Sequence, residues 1–170
     1  MKSIIKINAK ILDLLINHCH IDTNLECGGY LYGNYEKINK TNIININGIY
    51  GEKIFGKEDY FNFSPLYEAR AKDFEKQINL PIIGCYHSHG KYPAIFSYED
   101  RILETHYMKN NAALIYSPIE NKLIGDIITT EKEVQAAKII VVNQNQFNRL
   151  YFPNLSMGNS KVLTLKNIKK

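Results

Sequence analysis

The sequence predicts an α/β (α+β) fold, a mixed β-sheet wrapped by two to three helices. Three observations lead there. Residues 9–19 and 64–78 carry apolar side chains at the 3.6-residue period of helices with one buried face. Around them lie short apolar or alternating runs of strand length, at 3–7, 25–33, 41–49, 81–86, 112–116 and 122–128. A chain of 170 residues, finally, favours one domain whose core needs no covalent staples.

In chain order, Ser3 to Ile7 is a candidate first strand. Ala9 to Cys19 follows as a helix, with Ile11, Leu12, Leu14, Leu15 and Ile16 on its apolar side. His18-Cys19-His20 closes that helix. Helical neighbours two apart point about 200° away from each other, so this pair cannot share an ion; a histidine suits the carbonyl end of the dipole instead. Asp22-Thr23-Asn24 is a turn. Leu25 to Gly33 reads as a strand, alternating at Tyr30, Leu31 and Tyr32, with glycines that permit close backbone approach at both ends. Thr41 to Ile49 alternates Ile with Asn and Thr, a strand with one wet face, and Gly48 and Gly51 mark a turn after it. Phe61 to Phe63 is a further short candidate.

Ser64 and Pro65 open the second helix as N-cap and first-turn proline. Tyr67, Ala71, Phe74 and Ile78 form its buried stripe, and Glu68 with Lys72 a supporting pair outside. Pro81 to Tyr86 is a buried strand. Asp100 to Tyr107 reads as a helix; Ala112 to Tyr116, Lys122 to Ile128 and Val134 to Val142 read as strands. The last of these competes with the helix-friendly Gln135-Ala136-Ala137-Lys138. Beyond Pro153 the chain turns polar, and its last ten residues hold four lysines. The domain is therefore expected over 1–153, and 154–170 is expected as a basic tail, either solvated or paired as a strand.

Composition narrows the function classes. The chain is 45% hydrophobic and 22% charged, ordinary for a globular protein, with a mild net charge of +4. No dense basic block is interleaved with aromatics, so nucleic acid is not an expected partner. Cys19, Cys27 and Cys85 are odd in number and set among apolar residues, which suits small buried hydrophobes in a reducing compartment better than a disulfide framework. No apolar run approaches a membrane span, and Lys6, Asn8, Lys10 and Asp13 interrupt any signal-peptide core. The expected location is cytoplasmic, with no membrane partner.

The chemistry concentrates in His87-Ser88-His89-Gly90-Lys91-Tyr92-Pro93-Ala94-Ile95-Phe96-Ser97-Tyr98-Glu99-Asp100. If the strand from Pro81 runs on through His89, alternation points His87 and His89 the same way. Asp100 adds an acid where a helix begins. Two histidines and one aspartate, with a fourth position left for water, form the ligand set of a catalytic zinc site; no Cys pair offers a structural one. Plainer readings exist: Ser97 and Asp100 have capping-box spacing, and a His-x-His can be two polar residues leaving a strand.

This spacing resembles the His-x-His-x7-Ser-x2-Asp motif of the JAB1/MPN/Mov34 (JAMM) zinc metalloproteases, and Leu25 to Gly33 resembles the Glu-x-x-Gly-x-Leu-x-Gly stretch that supplies their catalytic Glu. The resemblance implies the MPN/JAMM (cytidine-deaminase-like) architecture over about residues 1–153. It implies that His87, His89 and Asp100 hold one Zn2+, that Glu26 is the general base, and that Ser97 donates to the oxyanion. Taken alone, Glu26 is more commonly read as an exposed acid before a strand. Two positions depart from the family pattern, Gly90 where Pro is usual and Phe96 where Pro is frequent; both reshape the ligand loop without removing a ligand. The resemblance further implies an isopeptidase or peptidase cleaving after the C-terminus of a ubiquitin-like protein, in deconjugation or precursor processing. Such an enzyme would serve a bacterial conjugation system with E1- or E2-like enzymes in the same operon, in some cases an antiviral one. Tyr86, Tyr92 and Tyr98 are candidates to line a narrow substrate channel, though tyrosines are as often core or rim. Processing of a sulfur-carrier protein and a non-enzymatic MPN-like binding module stand as alternatives. A zinc deaminase is disfavoured, because no Pro-Cys-x-x-Cys follows the histidines.

Overall fold

Two helices pack on one curved sheet, and each covers an apolar surface that strand alternation has sorted. The structure, a computed structural model, describes residues 2–57, 62–107, 109–129, 133–143, 150–153 and 160–163. The chain runs β1 (Lys2–Asn8), α1 (Ala9–Cys19), β2 (Cys27–Ile38), β3 (Thr41–Phe55), α2 (Pro65–Ile78), β4 (Ile82–Ser88) and α3 (Tyr98–Tyr107). It continues through β5 (Asn111–Ser117), β6 (Lys122–Ile128), β7 (Val134–Ala136), β8 (Lys138–Val142), β9 (Leu150–Pro153) and β10 (Ser160–Leu163). β1 to β8 make one mixed sheet in the order β7-β6-β5-β4-β2-β3-β1-β8. The expected α+β class, a mixed sheet with three helices, is what forms.

α1 begins at Asn8, whose side chain accepts from the Lys10 N–H and so satisfies one orphan donor of the first turn. Ile11 and Leu15 are fully buried, whereas Leu12, Leu14 and Ile16 sit at the margin, because five apolar positions span too wide an arc for one contact face. In β2, Leu31 enters the α1 core, while Tyr30 and Tyr32 face the other cluster with α2. α2 is capped as expected. Ser64 Oγ accepts from the Tyr67 N–H, Pro65 is the first helical residue, and the whole stripe Tyr67, Ala71, Phe74 and Ile78 is buried against Tyr32 and Tyr50. Lys72 and Glu68 pair at 2.7 Å on the exposed face.

Three expectations need correcting. Gly48 and Gly51 do not end a strand: β3 runs on to Phe55, pairing Gly48 with Tyr32 and Gly51 with Gly29. A side chain at Gly51 would collide with the Tyr86 hydroxyl and the His18 ring, so that glycine serves close approach rather than a turn. In the candidate strand 61–63, Phe61 lies outside the described residues, Asn62 and Phe63 are not in a strand, and Phe63 instead stacks on Tyr67 with rings 8° from parallel. Val134 to Val142 is two strands. β7 pairs with β6 and β8 with β1, and only Ala137, whose N–H goes to the Gly125 carbonyl, lies between. The two ends of the sheet are thus one residue apart in sequence, and the sheet curls until they meet.

β9 and β10 form a separate antiparallel pair across the expected boundary at 153; residues 154–159 and 164–170 lie outside the described residues. Cys19, Cys27 and Cys85 are free thiols, Cys85 only half-buried. Among the described residues, no helix is long and apolar enough to cross a membrane.

Candidate metal centre

β4 is held on both sides, antiparallel to β2 and parallel to β5, and it delivers His87 and His89 to one place. Their Nε2 atoms stand 3.1 Å apart. Asp100, in the first turn of α3, brings Oδ1 to 3.2 Å from His87 Nε2 and Oδ2 to 3.6 Å from His89 Nε2. Among the described residues, this trio is the one group of three or more His, Cys, Asp or Glu side chains whose ligand atoms converge, all within 4.8 Å.

The donor set fits a tetrahedral ion. Ligand atoms about 2.0–2.1 Å from zinc stand about 3.3–3.4 Å from one another. The two Nε2 atoms, 3.1 Å apart, and Asp100 Oδ1, 3.2 Å from that of His87, stand close to that edge, and one donor atom from each residue lies within 4.8 Å of the others. The tautomer fits as well. His89 Nδ1 lies 2.9 Å from the Pro93 carbonyl, which can only accept, so Nδ1 carries the hydrogen and Nε2 offers its lone pair. Burial disfavours charge on His89, but Asp100, the Pro93 carbonyl and the nearby charge of Glu26 together raise its pKa above the ordinary value. Burial likewise opposes the Asp100 carboxylate, yet His87, His89 and the Ser97 N–H hold it well below the usual range.

Capping and site geometry coincide at the start of α3. The Ser97 N–H donates to Asp100 Oδ2 at 2.7 Å, and the Asp100 N–H donates to Ser97 Oγ at 3.1 Å. This reciprocal cap starts the helix two residues earlier than expected and locks the Asp100 rotamer toward the histidines. Ser97 is exposed, and with its oxygen accepting from the helix its O–H remains able to donate outward.

Glu26 immediately precedes β2 and is only 7% exposed. Its N–H donates to the Lys57 carbonyl and its carbonyl accepts from the Gly56 N–H, while a bulge interrupts the β2–β3 ladder between Cys27 and Gly29. Bulges beside functional groups re-aim side chains. Its charge contributes to the raised pKa of His89, so the Glu26 carboxylate lies within electrostatic reach of that ring.

The loop between ligands explains both departures from the family pattern. Gly90 has φ +49°, in the left-handed region, which the proline ring forbids; the usual Pro could not make this turn. Phe96 lies under the Arg101 guanidinium, 5.1 Å from ring centroid to carbon, and Arg101 reaches Asp126 on β6 at 2.7 Å. Ser117 Oγ donates to the Tyr92 carbonyl, and the Ala94 N–H donates to Glu120. Sequence reading missed Ser117, Glu120 and Asp126. They are ordinary polar residues whose partners lie 25 or 26 positions away, and no local pattern flags them.

The three tyrosines separate. Tyr92 and Tyr98 are exposed on the ligand loop and the first turn of α3. Tyr86 is 1% exposed, and the expectation that it lines a channel is corrected. Alternation turns it away from His87 into the core, where its hydroxyl bonds His18 Nδ1 at 2.6 Å. His18 and His20 have separate partners, Tyr86 and Glu52 for the first and Tyr116 for the second, so they form no second site. Behind the histidines Cys27 touches His18 and Ser88, and the hydrogen bond from Cys19 outweighs burial in holding its thiol down to about 5.

The family described as prokaryotic homologs of the JAB domain matches residues 8–147, which include Glu26 and every residue of the trio. No curated protein matches the chain. Among solved structures, the solution structure of protein DSY2949 from Desulfitobacterium hafniense is similar, with a TM-score of 0.66 at 20% identity over 84% of this chain and 96% of that one. At that identity the likeness speaks for the fold.

Proposed function

The chain belongs to the prokaryotic homologs of the JAB domain, and from that premise we propose that it is a zinc-dependent isopeptidase acting on ubiquitin-like proteins. The observation that carries the hydrolase reading is the convergence of His87, His89 and Asp100, which bring one donor atom each within 4.8 Å of the others, as ligands around one tetrahedral ion must converge. When bound, zinc supplies Lewis acidity, lowering the pKa of water to about 7 and polarising a carbonyl. The remaining work falls to the chain. Glu26, buried and within electrostatic reach of His89, takes the proton of the attacking water and passes it to the leaving amine. Ser97 donates its O–H to the oxyanion that develops on the scissile carbonyl. A full set of these groups argues against a non-enzymatic binding module.

The substrate is proposed from the family resemblance. The bond cleaved is the amide after the C-terminus of a ubiquitin-like protein, in a conjugate or a precursor, and E1- or E2-like enzymes would be its pathway partners. An extended tail supplies main-chain hydrogen bonds that bring its carbonyl to the site, and the exposed rings of Tyr92 and Tyr98 beside the ligand loop favour a small residue at its end. The purified protein should carry about one zinc per chain, measured by elemental analysis, and His89→Ala and Asp100→Ala should each strip it. Stoichiometric zinc in both variants would refute the site. A ubiquitin-like protein fused to a reporter through Gly-Gly should be cut, and the same fusion ending in Leu-Leu should not; equal cleavage points to a general peptidase.

A further inference from the structure

Ser88 sits between the two histidines, and alternation points it away from them. It is fully buried behind the site. Its hydroxyl makes two bonds to one residue: Oγ accepts from the Cys27 N–H at 3.0 Å and donates to Cys27 Sγ at 3.5 Å. The β2–β4 ladder has its last residue pair at Gly28 and His87. Continued one step, Cys27 would face Ser88 and Glu26 would face His89. Ser88 Oγ therefore extends the ladder past its final pair by a side chain. On the other flank the His89 N–H donates to the Tyr116 carbonyl, fixing the histidine segment to β5.

We infer that Ser88 is a positioning residue for catalysis, its hydroxyl fastening the Glu26–Cys27 segment to the His87–His89 segment so that the base is held at a set distance from the ligands. The inference rests on the reading of Glu26 as base. Without the hydroxyl, the buried Cys27 N–H loses its partner just where the β2–β3 ladder is already interrupted, and the carboxylate one residue earlier gains freedom. Misplacing a catalytic group lowers turnover more than binding.

Two variants test it, Ser88→Ala and Ser88→Thr, the second keeping the hydroxyl. In metal-free protein, amide exchange at Cys27 should quicken about tenfold in the alanine variant and stay slow in the threonine variant, with Leu114 in β5 unchanged in both. In zinc-loaded protein cutting the ubiquitin-like fusion, Ser88→Ala should lower kcat about tenfold with KM unchanged, and Ser88→Thr should restore it. In a Glu26→Gln background, Ser88→Ala should cost nothing further, as expected of residues acting through one group. Unchanged exchange at Cys27, or equal acceleration at Leu114, overturns the positioning role. Loss of turnover in Glu26→Gln with full turnover in Ser88→Ala overturns the Ser88 role alone, whereas an active Glu26→Gln overturns the base assignment and this role with it.

Discussion

Tyr86→Phe isolates one hydroxyl in the interior. The ring stays packed, so no cavity opens; only the bond to His18 is lost. Tyr86 and His18 are each 1% exposed, so no water replaces the missing partner. His18 Nε2 faces the Glu52 carbonyl at 2.8 Å and must carry its hydrogen there in the neutral ring, which makes Nδ1 the acceptor of the tyrosine O–H. Leaving such an acceptor unsatisfied costs about 1–3 kcal/mol. At this chain length each kcal/mol moves the melting temperature by about 2–4 °C, so a drop of about 2–12 °C is expected. Calorimetry on the metal-free variant measures it, and kcat/KM on the zinc-loaded variant should stay at the wild-type value. An unchanged melting temperature refutes the buried-bond argument. Lost activity at unchanged stability would return Tyr86 to the substrate path.

Glu26→Gln should keep stoichiometric zinc and lose about 10²–10⁴ in turnover, read by elemental analysis and fusion cleavage together; near-normal turnover would pass the base role to another acid such as Glu99. Gly90→Pro, which installs the family's usual residue, should destabilise this protein by about 1–3 kcal/mol in urea unfolding, because φ +49° is closed to proline; a neutral effect would mean the loop readily adopts another path. Asp100 is held well below its ordinary pKa, so in metal-free protein its ionised form favours the folded state fully above about pH 4 and progressively less as pH falls through the folded value. The stability gap between wild type and Asp100→Asn should therefore narrow from pH 6 to pH 3, and a constant gap would contradict the pairing with His87 and His89.

Local rules carried far in this chain. α2 was legible in full, since cap, first-turn proline, stripe and surface pair all sit within one helix and need no knowledge of partners. His87, His89 and Asp100 were legible because strand alternation and a capping box are short-range geometry. What failed was long-range. Gly51 reads as a turn until His18 and Tyr86 are known to press against it, and Val134 to Val142 reads as one strand until β6 and β1 are seen to compete for its halves. Tyr86 could have been recovered: the alternation that unites the histidines places it on the opposite face. Ser88 lies on that same back face, where no ligand spacing marks it and its partner Cys27 is 61 positions away.

The curl of the sheet sets an order of events in folding. β1 holds residues 4–8 against 138–142 of β8, the strand at one end of the sheet, and each of those pairs spans about 134 residues of intervening chain. Loop-closure entropy must be overcome before such contacts contribute, so this ladder should close late and slowly. β2 and β4, which respectively begin just after Glu26 and end between His87 and His89, are already beside each other once residue 88 is made, yet their neighbour β3 leans on a β1 whose other edge stays bare until residue 142 arrives. A ribosome stalled between those points would present a nearly formed site beside an open strand edge, and that is the nascent chain most exposed to mispairing with another copy.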